Sequence, residues 1–408
     1  MVVPGQLGVD VAGHQPIPAG PDDVSTIGSA ALLRSLSPNL HRLGITRVAI
    51  QTGLDRIGIP CCAAIRPNST TLAVHQGKGI DLVSAEISAI MEAAEYAFAE
   101  APEGELVQLS VAEAGASMFT PVDFRNLMPH GWTPDGRPVS WLLGEWLDTG
   151  EKALVPLDAV RIGTPPADLP TISQSTNGLA AGPTPEHALL HALLELIERD
   201  AVCLWGFRRD AAALATAFDP ASLGDQVVDN LVASLGAHGL RLNLFDVTSD
   251  IGISTVYAVL TEADGTSRHF DAATGAGCHP VAAIAARRAI VEAAQTRIGV
   301  IAGARDDIPA GDYAAALSHD IAVLAAPIET RRPAPTGLPV TTPAAELLQA
   351  VRDRLDRAGL GRVASFPLGG EHLGIHVLRA FVPGLEDRLS NRNWRPGPRA
   401  ARAMLGLG

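Results

Sequence analysis

Pairs of glutamates spaced three apart, with glutamine as the second member in one case, recur in three segments of the chain, which are SAIMEAAEY, HALLELIER and RAIVEAAQT. Each segment contains Ala-x-x-Glu-x-x-Glu or its glutamine variant. The paired positions are Glu92 and Glu95, Glu195 and Glu198, and Glu292 and Gln295. Positions i and i+3 of a helix share one face and lie about 5–6 Å apart. Each pair is therefore predicted to direct two polar groups to the same side of a helix.

Two carboxylates so close repel each other unless a cation lies between them. Hard oxygen ligands suit Mg²⁺, which usually takes one or two carboxylates and completes its shell with phosphate and water. A single Glu-x-x-Glu is common on solvated helix faces. The second copy argues against that reading, because HALLELIERDAVCLW is apolar on nearly every side and buried charges need partners or ions. A buried Arg199–Glu195 pair at i,i+4 is the alternative that would satisfy part of this charge.

A glycine-rich stretch precedes each of these helical segments. The stretches are QGKGID at 76–81, TNGLAAGPT at 176–184 and TGAGCHP at 274–280. Glycine-rich loops that lead into helix N-termini suit phosphate, because unpaired N–H groups and the helix dipole both favour an anion. The acidic pairs and the glycine-rich loops together predict a site for Mg²⁺ and a nucleotide triphosphate.

The elements around these segments are predicted to be those of an α/β protein. Strands are predicted in ITRVAI, GIPCCAAI, WLLGEW, EKALVPLDAVRIG, LRLNLFDVTSD, STVYAVLT and GIHVLRAFVP. Helices are predicted over Ser84–Glu100, about Pro185–Arg208 and 280–302, and in AAELLQAVRDRLDRAG. The glycine-loop and helix segments form three repeats, over about 76–100, 176–208 and 274–305.

The chain is expected to divide as follows: an N-terminal arm over 1–44, a core over 45–330 with the three repeats, a proline-rich linker over 331–342, a helix–strand part of the same domain over 343–387, and a basic tail over 388–408. The tail is expected to be a solvated basic end. The alternative is that the tail orders the site, in which case deleting the residues after Leu389 should lower turnover more than thermal stability.

Composition excludes several classes of protein. The 408 residues are 47% hydrophobic and 18% charged with a net charge of −13, which indicates a folded globular protein rather than a disordered or nucleic-acid-coating one. No apolar run has the length of a membrane span, and no basic leader with an apolar block marks a secretory signal. The four cysteines show no CxxC spacing, and Cys278–His279 is interpreted as structural. We therefore expect a cytoplasmic protein with reduced thiols and neither nucleic acid nor membrane as partner.

The repeated segments resemble those of the YcaO family. STNGLAAGPTPEHALLHALLELIERDA, GKGIDLVSAEISAIMEAAE and RRAIVEAAQTR are similar to its nucleotide-site segments, in the expected order. The similarity runs from about Ile45 to the tail, through GITRVAIQTGLDRIGIP and FVPGLE. It implies an unusual α/β fold, a dimer, and ATP and Mg²⁺ as cofactors. It also implies phosphorylation of a backbone amide oxygen in a ribosomally made peptide, so that a nucleophile can replace that oxygen.

The resemblance also assigns roles to residues. The implied Mg²⁺ ligands are Glu92, Glu95, Glu195 and Glu198. Arg199 is implied to neutralise phosphate, and with Gln295 and Arg297 it forms the predicted catalytic set. The further predicted nucleotide contacts are Lys78, Ser88, Glu292, Gln295, Arg297 and Arg305.

Two positions depart from the family pattern. Tyr96 stands where the family usually has arginine after the first acidic pair. Pro183 replaces an asparagine of the second loop, and proline has no N–H to give to a phosphate. Neither departure removes a proposed metal ligand. A non-catalytic ATP-binding scaffold subunit is nevertheless an alternative to the enzyme.

The product is left open by the sequence. A side-chain nucleophile would give an azoline, an amine an amidine, and sulfide a thioamide. Because the N-terminal region is too short for a fused leader-binding domain, we expect a stand-alone enzyme. Its expected partners are a precursor peptide, a TfuA-type or leader-binding protein, and a second copy of the chain. We favour cyclodehydration, which needs no sulfur source, over thioamide formation with a TfuA-type partner.

Overall fold

The computed structural model describes residues 26–265, 271–303, 313 and 315–407. Its helices are α1 (Thr26–Leu36), α2 (Leu82–Glu100), α3 (Val111–Ala116), α4 (Leu157–Val160), α5 (Pro185–Trp205), α6 (Asp210–Leu214), α7 (Gln226–Ala237), α8 (Ala282–Ala302), α9 (His319–Ala325), α10 (Ala344–Arg357) and α11 (Pro398–Met404). Its strands are β1 (Arg47–Ile50), β2 (Cys61–Ile65), β3 (Val74–Lys78), β4 (Leu106–Leu109), β5 (Thr120–Pro121), β6 (Val139–Trp146), β7 (Lys152–Pro156), β8 (Leu179–Gly182), β9 (Leu240–Asp246), β10 (Thr255–Glu262), β11 (Ala272–Cys278), β12 (Ala364–Gly369) and β13 (His376–Phe381).

The strands of the described residues form one large sheet and two small ones. The small sheets have the orders β1-β2-β3 and β11-β10-β9, and all their pairings are antiparallel. The large sheet runs β5-β7-β6-β12-β13-β8, with β4 also paired to β6. The strands β3, β8 and β11 each lie at the edge of a different sheet. Each of these strands is followed directly by a long helix.

These three strand–helix units pack around one another. Within a unit, α2 lies on β3, α5 on β8 and α8 on β11. Between units, α2 contacts β8, α5 contacts β11 and α8 contacts β3. Each helix therefore touches the edge strand of the next unit, and the third unit closes on the first. The three helices that carry the acidic pairs surround a common centre.

The glycine-rich stretches belong to these edge strands rather than to loops. A Cβ on Gly77 would lie 2.1 Å from the backbone nitrogen of Ala89, and one on Gly277 would lie 2.2 Å from the carbonyl oxygen of Ala285. A Cβ on Gly182 would be 2.5 Å from the nitrogen of Ala188. The glycines thus let the helix backbone lie directly on the strand. The expectation of glycine-rich phosphate loops is wrong for these positions, and the connections between strand and helix are only a few residues long.

Side-chain caps begin the first two repeat helices. The Asp81 carboxylate accepts a hydrogen bond from the Ser84 N–H at 2.7 Å, and the Thr184 hydroxyl accepts one from the His187 N–H at 3.3 Å. Such caps satisfy backbone donors that have no partner inside the helix. Helix α5 is apolar on nearly all sides because α10, α11, β8, β11 and β13 all pack against it. The sequence of α5 therefore reflects burial on several faces.

Both ends of the chain differ from the expectations. Residues 1–25 of the predicted arm lie outside the described residues, whereas α1 and a short 3₁₀-helix at Ser37–Leu43 pack against α2 and bury Leu36 and Leu43. The proline-rich segment 331–342 contains no helix and is attached to the third unit, where the Leu338 N–H donates to the Pro280 carbonyl at 2.8 Å.

The C-terminal tail is docked rather than solvated. Arg399 donates to both carboxylate oxygens of Asp200, at 3.0 and 2.8 Å, and Asp200 is completely buried in α5. Arg399 also pairs with Asp250 at 2.6 Å. The buried Glu386 carboxylate accepts hydrogen bonds from the Trp394 indole and from two tail N–H groups. The expectation of a solvated basic end is wrong, because Arg392, Arg395 and Arg399 of the tail have partners distant in sequence.

We expect Gly77→Ala to destabilise the protein by about 3 kcal/mol, because the added methyl group collides with the backbone of α2. Gly53→Ala is the matched control, since a Cβ at Gly53 meets nothing within 4 Å. Chemical denaturation of both variants measures the difference. Equal stabilities would contradict the close-packing role of Gly77.

We expect Arg399→Gln to lower the free energy of unfolding by about 3 kcal/mol, because it leaves the buried Asp200 carboxylate without its cation. Arg402 lies on the same helix but is exposed, so Arg402→Gln is the control. Thermal and urea unfolding provide the readout. This result would also show that truncation after Leu389 costs stability and not turnover alone.

Candidate active site

A cavity of about 710 Å³ lies where the three units meet. Its walls come from β3 and from one face each of α2, α5 and α8. All but two of the residues predicted from the sequence line it: Lys78, Ser88, Glu92, Glu95, Glu195, Glu198, Arg199, Glu292 and Gln295. The repeat therefore brings its polar positions together from three separate stretches of chain.

Arg297 is not among the residues that line the cavity, which corrects the prediction that it contacts the nucleotide. Its Nε donates to Asp55 at 2.7 Å, and it pairs with Glu262 at 3.0 Å. Five residues beyond Glu292, Arg297 is rotated by about 140° around the helix, away from the face with the acidic pair. Arg297 therefore fastens α8 to its surroundings. The other exception, Arg305, lies outside the described residues.

The second polar residue of two repeats bonds to the next unit. The Glu95 carboxylate accepts a hydrogen bond from the Ala181 N–H of β8 at 2.8 Å. The Gln295 amide donates to the Gln76 carbonyl of β3 at 2.7 Å. These contacts use backbone groups of edge strands that face the neighbouring helix. Glu95 and Gln295 therefore both line the cavity and connect neighbouring units to each other.

Burial makes three acids of the cavity, Glu95, Glu195 and Glu198, hard to ionise. Burial and the nearby Glu292 raise the pKa of Glu198 to about 7 against the opposing charges of Arg199 and other cations. Burial raises the pKa of Glu95 well above its usual range, although the Ala181 N–H opposes this. Burial also raises the pKa of Glu195, against the opposing charge of Arg199. A bound divalent cation would favour the ionised forms of all three.

Arg199 forms part of the ion pair with Glu195 that was the alternative to a metal site. Its guanidinium lies 3.8 Å from the Glu195 carboxylate, which is the i,i+4 pair considered from the sequence. The Arg199 side chain is nevertheless 38% exposed and lines the cavity. One end of this ion pair can therefore also meet an anionic ligand.

His191 and Arg288 are two of the polar residues of the cavity lining that sequence reasoning missed. An Arg288 nitrogen lies 3.1 Å from Nδ1 of His191. Enclosure in the cavity and the Arg288 charge lower the pKa of His191. Both residues occupy the position of Ser88 in the aligned repeats, four residues before the first acid. The repeat alignment therefore contained the signal that would have found them.

Both departures from the family pattern also lie in the cavity wall. Tyr96 lines the cavity with its ring 4.7 Å from the ring of His75. Pro183 precedes Thr184, which caps α5. The cavity keeps all of the predicted metal ligands.

The donor set fits Mg²⁺. Among the described residues, no group of three or more His, Cys, Asp and Glu side chains forms a complete metal site. Carboxylates instead reach the cavity in pairs from α2 and α5. This matches a cation that takes one or two carboxylates and needs phosphate and water for the rest of its shell. Glu92 and Glu95 on α2, and Glu195 and Glu198 on α5, are the two pairs that would hold such cations.

The fold and this cavity define a class of nucleotide-binding α/β protein, and comparison with known proteins identifies the family. Residues 76–386 match the family model of the YcaO cyclodehydratases, which is described as ATP- and Mg²⁺-binding. The chain therefore belongs to the YcaO family. The predicted family and its cofactors, ATP and Mg²⁺, are confirmed.

Individual relatives agree with this assignment. An uncharacterized Rhizobium leguminosarum bv. trifolii protein from the tfuA 3′ region is 36% identical, over 92% of each chain. A heterocyclase solved with substrate and cofactor has a TM-score of 0.74 at 20% identity; the match covers 97% of this chain and 57% of that one. YcaO from Methanopyrus kandleri, bound with AMPPCP and Mg²⁺, has a TM-score of 0.67 at 24% identity, over 89% of this chain and 92% of that one. These structures confirm the predicted YcaO-type α/β fold.

Membrane insertion finds no support in the helices. Within the part of the chain that the structure describes, no helix combines the length and the apolar character needed to span a bilayer.

The raised pKa of Glu198 predicts a pH-dependent stability. A carboxyl group with a folded-state pKa of about 7 binds its proton more tightly than in the unfolded chain, so stability falls between about pH 4.5 and about pH 7. In the absence of metal, the stability of Glu198→Gln should fall less over this range. Its stability should exceed that of the wild type most above pH 7. Urea unfolding across this range measures it, with the exposed Glu145→Gln as control. A Glu198→Gln variant less stable than wild type at pH 8 would contradict the prediction.

Proposed function

We propose that this protein phosphorylates a backbone amide oxygen in a ribosomally made precursor peptide, and that a nucleophile then replaces that oxygen. The observation that carries the proposal is the meeting of paired carboxylates from α2 and α5 with Arg199 and Lys78 in one cavity. A carboxylate pair on each of two walls, with Arg199 and Lys78 in the same cavity, suits a metal-bound triphosphate. The family membership supports the same reaction.

The chain's own residues would act by position and charge. ATP with Mg²⁺ supplies the phosphoryl group that turns a poor leaving group, the amide oxygen, into phosphate. Glu92, Glu95, Glu195 and Glu198 hold the metal ions. Arg199 offers its guanidinium to phosphate, as charge stabilisation in phosphoryl transfer requires. No nucleophilic side chain is needed for this chemistry.

Gln295 is assigned a positioning role within this proposal. Its amide nitrogen is engaged with the Gln76 carbonyl, which orients its oxygen relative to the cavity. Ser88, on the same face of α2 as Glu92, is proposed to contact the nucleotide. Arg305 is also proposed to contact the nucleotide, and this rests on the resemblance alone.

The nucleophile that completes the reaction has two candidates. The family's description as cyclodehydratases favours an internal side chain or amine, with an azoline or amidine as product. The relative from the tfuA 3′ region favours sulfide and a thioamide, with a TfuA-type protein as partner. The activation step is common to both. A precursor peptide and a second copy of this chain complete the proposed partners.

A binding experiment tests the activation site. In calorimetry, Mg²⁺–ATP should bind the wild type and should bind Glu195→Gln and Glu198→Gln at least about tenfold more weakly, since each variant removes a metal ligand. Glu145→Gln is the matched control, because Glu145 is exposed on β6. Unchanged affinity in both cavity variants would refute the assigned ligands. Wild-type binding without any turnover of ATP would favour the ATP-binding scaffold alternative, and absence of wild-type binding would refute the proposed function.

Mass spectrometry separates the two products. Incubation of the enzyme with a candidate peptide, ATP and Mg²⁺ should give loss of water if cyclodehydration occurs. With a TfuA-type protein and sulfide added, exchange of oxygen for sulfur indicates a thioamide. Glu198→Gln should produce neither mass change. Modification by that variant at the wild-type rate would contradict the proposed mechanism.

A further inference from the structure

An ion pair spans the cavity between the first and third units. The Lys78 ammonium, at the end of β3, lies 2.5 Å from the Glu292 carboxylate of α8. Both side chains remain partly exposed, at 26% and 30%. Lys78 is one of two lysines in the chain, and the other, Lys152, is an exposed residue of β7. A short ion pair between residues that line a ligand cavity is therefore accessible to the ligand.

Lys78 lies near a second carboxylate besides that of Glu292. Glu292 also accepts a long hydrogen bond from the Ala276 N–H, at 3.5 Å. Across the cavity, the buried Glu198 carboxylate is close enough to Glu292 that each influences the ionisation of the other, and Lys78 acts on both. One ammonium group thus serves acids from two different units. Without it, the buried Glu198 carboxylate and the partly exposed Glu292 carboxylate would lack this counter-charge.

The chemistry of lysine suits a contact that must change. An ammonium group is a compact charge on a flexible four-carbon chain, whereas a guanidinium is a rigid fork that keeps two-point contacts. Elsewhere in this structure, permanent buried pairs use arginine, as in Arg287–Asp225 and Arg399–Asp200. Of these three pairs, Lys78–Glu292 is the one in which both side chains are at least a quarter exposed.

We propose that Lys78 is an exchangeable counter-ion of the site: it neutralises Glu292 in the nucleotide-free protein and moves to the phosphates when a divalent cation takes over that charge. The inference rests on the proposed function. It adds that Glu292 is masked before the nucleotide binds. A divalent cation arriving alone must therefore compete with Lys78, whereas a cation arriving with a triphosphate gives the ammonium a new partner.

The test is calorimetry on Lys78→Gln with two probes, Mg²⁺ alone and Mg²⁺–ATP. Mg²⁺ alone should bind about tenfold more tightly than to the wild type, because the competing ammonium is gone. Mg²⁺–ATP should bind about tenfold more weakly, because a phosphate contact is lost. Affinities that move together, or an unchanged affinity for Mg²⁺ alone, would overturn the exchange.

Three controls separate this from a general charge effect. Lys152→Gln should change neither affinity. Arg288→Gln removes a cation from the same cavity that contacts His191 instead of an acid, so it should not tighten the binding of Mg²⁺ alone as Lys78→Gln does. If Arg288→Gln tightened the binding of Mg²⁺ as much as Lys78→Gln does, the effect would come from the general positive charge of the cavity, and the proposal would be overturned. In a Glu292→Gln background, Lys78→Gln should no longer tighten Mg²⁺ binding.

The failures of the two proposals are distinguishable. If the wild type does not bind Mg²⁺–ATP, the proposed function and the exchange both fail. If the wild type binds it but Lys78→Gln lacks the opposite shifts, only the exchange fails. Thermal unfolding of Lys78→Gln without ligand verifies that the variant is folded, so that a weaker Mg²⁺–ATP affinity reflects the site.

Discussion

The site depends on the contact between each repeat helix and the edge strand of the next unit. An edge strand has backbone N–H and C=O groups without a partner strand on one side. Here those groups meet polar side chains of a helix, as in Glu95 with Ala181 and Gln295 with Gln76. Glycines in the strands allow the helix backbone to come close enough. Without this contact the three acidic faces would have no common centre.

The same arrangement places unfavourable charge in the molecule. Each helix contributes acids to an enclosed space where burial resists ionisation, and Glu198 is the clearest case. Packing of the helices against three sheets offsets this cost elsewhere in the fold. Lys78 and Arg199 reduce the repulsion but leave the acids near enough for a cation. Local instability of this kind is typical of functional sites.

The helices and the acidic pairs could be predicted because both follow the helical repeat, which local sequence displays. The sequence predicts loops where β3, β8 and β11 lie, because glycine disfavours strands. The role of these glycines, which is to let a helix pack closely on the strand, is visible only in the structure. Arg297 is predicted from the resemblance but faces away from the cavity. Arg288 lines the cavity and occupies the same position of the repeat as Ser88. The tail was misread because Arg399 finds its partner Asp200 far away in the chain, and a charge run reveals no distant partner.

The docked tail also has a consequence for biosynthesis. Asp200 is made 199 residues before Arg399, the cation that neutralises it. Chains emerge from the ribosome N-terminal part first, so α5 carries a carboxylate that cannot be buried at low cost until those 199 residues have been added. The helix that carries half of the acids settles only when the final segment is made. The packing of α5 at the nucleotide cavity is therefore expected to become final only after Arg399 has been made.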